Sequence, residues 1–147
     1  MKETKLNKEQ IPINFSFIAD KSFDNFVISE DDIIIKLLDE ITTSNRSSIV
    51  FIRGNASSGK THLCLAIDNI TSINSFVLNK KTLSLINFED ILKYNFLIID
   101  DIDCLISNNS QEEKIFSLIN EFILMKKSII ITSTKMLNKI NFMIPDL

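Results

Sequence analysis

The chain is 147 residues long and contains two glycines, and both fall in one stretch, Gly54-Asn55-Ala56-Ser57-Ser58-Gly59-Lys60-Thr61. This G-x-x-x-x-G-K-T spacing follows the apolar run Ile49-Val50-Phe51-Ile52 and precedes His62-Leu63-Cys64-Leu65-Ala66-Ile67. Strand, glycine-bounded loop, helix is the context in which that spacing builds a phosphate site. Gly54 and Gly59 permit backbone conformations that a side chain would block, so successive N–H groups can turn toward phosphate oxygens. The helix that follows aims its free N–H groups and the positive end of its dipole at the same anion. Lys60 adds a point charge for the outer phosphates, and the Thr61 hydroxyl is placed to ligate Mg²⁺. Glycines that merely punctuate a turn would not need to be confined to this loop.

A second stretch supplies acids. Phe96-Leu97-Ile98-Ile99 is a continuous apolar run, as a parallel strand buried on both faces should be, and it ends in Asp100-Asp101. A strand ending there sets the Asp100 carboxylate beside the Thr61 hydroxyl to share the Mg²⁺, while Asp101 polarises the water that attacks the terminal phosphate. Alone, the acid pair serves as well for a turn or a cap; the upstream loop favours the chemical reading. Ile129-Ile130-Ile131 is a further strand, and Ser133 or Thr134 at its tip is placed to hydrogen-bond that water or the terminal phosphate. His62 receives no role, since a lone helical histidine is more often packed or solvent-bonded.

Strands over residues 48–53, 75–78, 96–99 and 129–131 alternate with helical patterns over 60–70 and 111–126, the second with Ile115, Phe116, Leu118, Ile119, Phe122 and Ile123 on one side. Residues 80–94 leave room for a strand-like turn and then a short helix near Glu89-Asp90-Ile91-Leu92. Ahead of the loop, Ser29 and Asp32 have capping-box spacing, and Ile33, Ile34, Leu37, Leu38 and Ile41 recur at helical period. The expected fold is α/β, a parallel sheet flanked by helices with its ligand beyond the carboxyl ends of the strands. Residues 1–9 are polar and expected to be disordered. In Gln10-Ile11-Pro12-Ile13-Asn14-Phe15 apolar residues alternate around a proline, which suits a short strand, a peptide laid into a partner's groove, or an arm packed on its own domain.

A net charge of −3 argues against a broad electrostatic footprint for nucleic acid. Lys80-Lys81 and Lys126-Lys127 are isolated pairs, read as solvated ends of elements. Cys64 and Cys104 lack the spacing of a zinc or redox pair and are expected as buried free thiols. Met1 is followed by charged residues rather than a secretory core, and no apolar run reaches the length of a membrane span. A cytoplasmic location is expected.

In order over about residues 10–147, Phe23-Asp24-Asn25-Phe26-Val27, the loop with His62-Leu63, Leu97-Ile98-Ile99-Asp100-Asp101-Ile102 and Ile131-Thr132-Ser133-Thr134-Lys135 resemble the AAA+ P-loop domain of the DnaA family. The closest look is to its Hda branch of DnaA regulators. The resemblance implies that residues 54–61 are the Walker A loop, Asp100 and Asp101 the Walker B acids, and Thr134 the sensor 1 position, where the family usually has Asp. It implies ADP or ATP with Mg²⁺ as cofactors, with the 23–27 segment leading into the adenine pocket. Gln10, Ile11, Ile13 and Phe15 are similar to the peptide by which Hda binds the sliding clamp, so the clamp and DnaA are the implied partners in control of replication initiation. Residues 1–20 would be the arm and 21–147 a AAA+ domain ending before the family's arginine finger, fifth strand and helical lid. Residues 48–53 would then form an exposed sheet edge. Whether such a chain completes hydrolysis is left open. The DnaC-type helicase loaders, which share the G-K-T-H-L run, offer a second reading, and a non-catalytic remnant a third. No helix-turn-helix for DNA is seen.

Overall fold

The apolar runs are continuous, as in strands covered on both faces, and the structure, a computed structural model, pairs them accordingly. It describes Lys36, Ile41, Thr43 and residues 46–69, 74–85 and 87–143. The peptide at 10–15, the phenylalanine segment at 23–27 and the closing residues 144–147 lie outside the described residues. Of the helix expected over 33–41, Lys36 and Ile41 are described; both are helical, and Ile41 is buried.

In chain order the elements are β1 (Ile49–Arg53), α1 (Lys60–Asp68), β2 (Ser75–Leu78), α2 (Lys80–Leu83), α3 (Phe88–Ile91), β3 (Phe96–Ile99), α4 (Ile102–Leu105), α5 (Asn109–Leu124) and β4 (Ser128–Ser133), followed by a 3₁₀ turn at Leu137–Lys139. The sheet runs β1-β4-β3-β2, parallel throughout. Alternation divides the strand side chains between two layers. Leu97, Ile99 and Ile129 face Ile115, Leu118 and Phe122 of α5, with Phe51 and Ile131 packed against them. Ile98 and Ile130 face Leu63, Cys64 and Ile67 of α1, with Val50, Ile52 and Val77 alongside. Each fully buried aliphatic side chain contributes about 1.5–3 kcal/mol of transfer free energy, and a one-residue slip of any strand would exchange the two sets. The pairing is therefore fixed. Ile99 lies opposite Ile131, and Ile52 opposite Thr132. That register brings Gly54, Asp100, Asp101 and the end of β4 together at the carboxyl end of the sheet.

Three expectations need correction. Residues 80–83 form a helical turn rather than a strand-like one, because the Asn79 side chain accepts from the N–H groups of Lys81 (2.9 Å) and Thr82 (3.1 Å) while Thr82 Oγ1 accepts from Asn79 N–H (2.8 Å). This reciprocal cap nucleates a turn that periodicity does not show. The helix expected over 111–126 starts and stops two residues earlier, at Asn109 and Leu124; Asn108 caps it through Gln111 N–H, and Lys126 adopts a left-handed conformation beyond its end. Its buried stripe is Ile115, Leu118 and Phe122, and Ile123 is exposed. Among the described strands β1 is an edge, with Ile49 exposed. No helix among the described residues is long and apolar enough to cross a membrane.

Candidate functional site

The loop after β1 turns on space at one glycine and on conformation at the other. A Cβ at Gly54 would come within 2.3 Å of Ser58 Oγ, so its hydrogen is dictated by close packing within the loop. Gly54 N–H also donates to the carbonyl of Ser133, 3.0 Å away, fastening the loop to β4. Gly59 is left-handed (φ 89°) and stands immediately before α1. Lacking a side chain, it cannot cap that helix, so the first-turn N–H groups remain for an anion. Ser57 is also left-handed (φ 62°), an unfavourable conformation for a residue with a Cβ. Lys60 is 7% exposed, and its ammonium donates to the carbonyls of Gly54 and Asn55, each 3.1 Å away, and pairs with Asp101 Oδ1 at 3.5 Å.

Thr61 Oγ1 donates to Asp100 Oδ2 at 2.9 Å, joining two residues that stand 39 positions apart in sequence. The other oxygen, Oδ1, faces the buried Thr132 hydroxyl at 3.2 Å and Cys64 Sγ at 3.7 Å. Burial, reinforced by the neighbouring Asp100 carboxylate, pushes the Cys64 thiol far above the usual range. Asp101 is left-handed (φ 54°, ψ 66°), and its N–H donates to Thr132 Oγ1 at 2.9 Å. On α4, Asp103 accepts from Ser133 Oγ at 2.9 Å, from Thr134 N–H at 3.2 Å and from the Thr134 hydroxyl. Burial alone would raise the Asp103 pKa, but these donors outweigh it and hold the carboxyl below its ordinary value. A cleft of about 400 Å³ opens against this group, lined by Thr61, Leu65, Asn79, Lys80, Lys81, Asp100, Asp101 and Cys104.

The donor set fits Mg²⁺. A hydroxyl and a carboxylate, both hard oxygens, converge on the cleft at Thr61 and Asp100. Among the described residues no group of three or more His, Cys, Asp or Glu could hold a metal by itself.

No protein-family model matches the sequence, and no curated protein matches it. Solved structures do. AMPPCP-bound DnaA from Aquifex aeolicus superposes with a TM-score of 0.70 at 20% identity, over 84% of this chain and 44% of that one. DnaI gives a TM-score of 0.67 at 16% identity, over 81% of this chain and 74% of that one. The DnaC helicase loader gives 0.61 at 19% identity, over 82% of this chain and 80% of that one. The chain has a AAA+ P-loop fold. It spans less than half the length of the DnaA chain it matches.

Within the AAA+ fold, the expected site residues separate into groups. Gly54, Gly59, Lys60, Thr61, Asp100 and Asp101 come together, while the side chains of Asn55, Ala56, Ser57 and Ser58 are exposed along the loop. The Thr134 hydroxyl is engaged by Asp103 on the far side of the acids. Gln10, Ile11, Ile13 and Phe15 lie outside the described residues. One expectation fails here. Cys104 is exposed on the cleft wall, because α4 is a single turn that buries Ile102 and Leu105 instead. Lys80 and Lys81 are exposed at the start of α2, as solvated ends of an element should be, and they also line the cleft. Residue-by-residue reading missed Thr132 and Asp103. Their signal is a hydroxyl in an otherwise apolar strand and a third acid two positions after the pair.

Proposed function

We propose that the chain binds ADP or ATP with Mg²⁺ at this cleft and acts in the control of DNA replication initiation, as a protein of the DnaA and Hda type. The single observation that carries the reading is the 2.9 Å contact between Thr61 and Asp100, made beneath a loop whose lysine is already drawn over its carbonyls. In this reading residues 54–60 cradle the phosphates as the Walker A loop. Thr61 and Asp100 hold the cation, and Asp101 orients and polarises the attacking water, with Thr134 in the sensor position. Bound Mg²⁺ neutralises charge on the outer phosphate oxygens. The likeness to AMPPCP-bound DnaA supports a nucleotide ligand. Docking on the sliding clamp through Gln10, Ile11, Ile13 and Phe15, and action on DnaA, belong to the same proposal and rest on the sequence resemblance.

The test is thermal unfolding with and without saturating Mg-ADP or Mg-ATP. Ligand at a hundred times its dissociation constant adds about 2.7 kcal/mol, a rise of roughly 5–11 °C at about 2–4 °C per kcal/mol for a domain near this size, which Lys60→Ala should abolish. No shift in the wild-type chain would overturn the nucleotide reading. A second reading, a helicase-loader-like ATPase, is favoured by the larger share of DnaI and DnaC that the chain covers. Pull-downs with purified clamp and purified replicative helicase separate the two. If clamp binding is unchanged by Gln10→Ala with Phe15→Ala, the peptide assignment fails.

A further inference from the structure

The Thr132 hydroxyl lies between the two acids and is completely buried. It has one proton to donate and two lone pairs. One lone pair accepts from the Asp101 N–H at 2.9 Å. The proton has two acceptors in reach, Asp100 Oδ1 at 3.2 Å and the Ile99 carbonyl at 3.5 Å. The nearer acceptor is charged, so the hydroxyl proton goes to the carboxylate. With Oδ1 held there and by the Cys64 thiol at 3.7 Å, Oδ2 is the oxygen turned to Thr61. The same hydroxyl fixes the entry into the left-handed Asp101, a conformation disfavoured for residues with a Cβ. Neither neighbour at the strand tip is free for this duty, because Ser133 and Thr134 are both bonded to Asp103.

We infer that Thr132 is a positioning residue: its hydroxyl sets the Asp100 carboxylate for the cation and places Asp101 beside it. The inference rests on the Mg-nucleotide reading above. Its effect should appear in the magnesium-dependent part of nucleotide affinity. Losing a group that holds a metal ligand in place typically lowers metal affinity 10–100-fold.

The experiment titrates a fluorescent ATP analogue into the full chain, with Mg²⁺ and with EDTA. In Thr132→Val, of similar shape but without the hydroxyl, the gain in affinity on adding Mg²⁺ should shrink roughly 10–100-fold, with affinity in EDTA within about threefold of wild type. Thr132→Ser should restore the gain. Amide exchange at Asp101, measured without ligand, should accelerate in Thr132→Val alone. A full magnesium gain in Thr132→Val overturns the inference, as does an equal loss with Mg²⁺ and with EDTA, the mark of a merely structural residue. Wild type that binds no analogue, or gains nothing from Mg²⁺, overturns the nucleotide reading itself and is thereby distinguished. Should Thr132→Val fail to fold, Thr132→Cys, with its weak S–H donor, takes its place; a partial loss supports the inference and a full gain overturns it.

Discussion

Gly54→Ala tests the packing account of the loop directly. The added methyl would stand 2.3 Å from Ser58 Oγ, 3.2 Å from Ser58 Cβ and 3.3 Å from Lys60 Cγ. Carbon atoms in contact prefer about 3.5–4.0 Å. Rotation of the exposed Ser58 side chain relieves the first contact and leaves the other two. Ser58 Cβ follows a backbone pinned by the bond from Ser58 N–H to the Asn55 carbonyl, and Lys60 is held by its two carbonyl acceptors. The loop must therefore shift by a few tenths of an ångström, and overpacking of this kind costs about 1–3 kcal/mol. Equilibrium urea unfolding should show that loss. In a double-mutant cycle, Ser58→Gly removes two of the three contacts, so Gly54→Ala should cost less in that background, with a coupling of about 0.5 kcal/mol or more. Gly59→Ala is the contrast: its cost of about 1–2 kcal/mol comes from φ and should not respond to Ser58. A Gly54→Ala protein within a few tenths of a kcal/mol of wild type, or a cycle with no coupling, would refute the steric reasoning.

Two further outcomes follow from the side chains around the acids. Cys104 should react with a thiol reagent at neutral pH in the native state and Cys64 only on unfolding, because Cys64 is buried with its thiol pushed up by burial and Asp100; Mg-nucleotide should slow Cys104, and equal native rates for the two thiols would contradict the geometry. Asp103 has a depressed pKa in the folded state, so its stabilisation is full above the unfolded carboxyl range near pH 4 and fades as the pH falls through the lower folded value. Asp103→Asn should therefore be less stable than wild type at pH 7, by less than about 1 kcal/mol for so exposed a group, and the gap should close in acid; a gap that stays constant with pH would show that the charge is not what matters.

How much of this was legible in the sequence varies with the kind of signal. The four strands are continuous apolar runs rich in β-branched and aromatic residues, and burial on both sheet faces leaves little else for such runs to be. The loop was legible because its spacing lies between a strand and a helix, and Asp100 because it ends an apolar run. The turn at Lys80–Leu83 was missed because it depends on Asn79 and Thr82 bonding each other, a pair without hydrophobic period. Thr132 was missed because threonine is an ordinary strand former; only the register with Ile52 and the end of β3 reveals what its hydroxyl touches. Cys104 was misread because an apolar neighbourhood in sequence does not say which side of a single helical turn meets the cleft. Gly54 was expected for its conformational freedom, whereas its described role is lack of volume.

The strand order has a consequence for how the molecule comes into being. β4 is the last described strand in the chain and sits between β1 and β3, so Ser48 meets its partner Ser128 across 80 residues. During synthesis the glycine loop emerges long before the strand whose Ser133 carbonyl anchors it and whose Thr132 steadies the acids. Closure of so long a separation carries a large entropic barrier and slows folding. Until β4 inserts, β1 and β3 have no contact through the sheet, and the Gly54 and Asp101 N–H groups lack their acceptors on β4. Under the proposed function, nucleotide binding then reports that the last strand has reached its place.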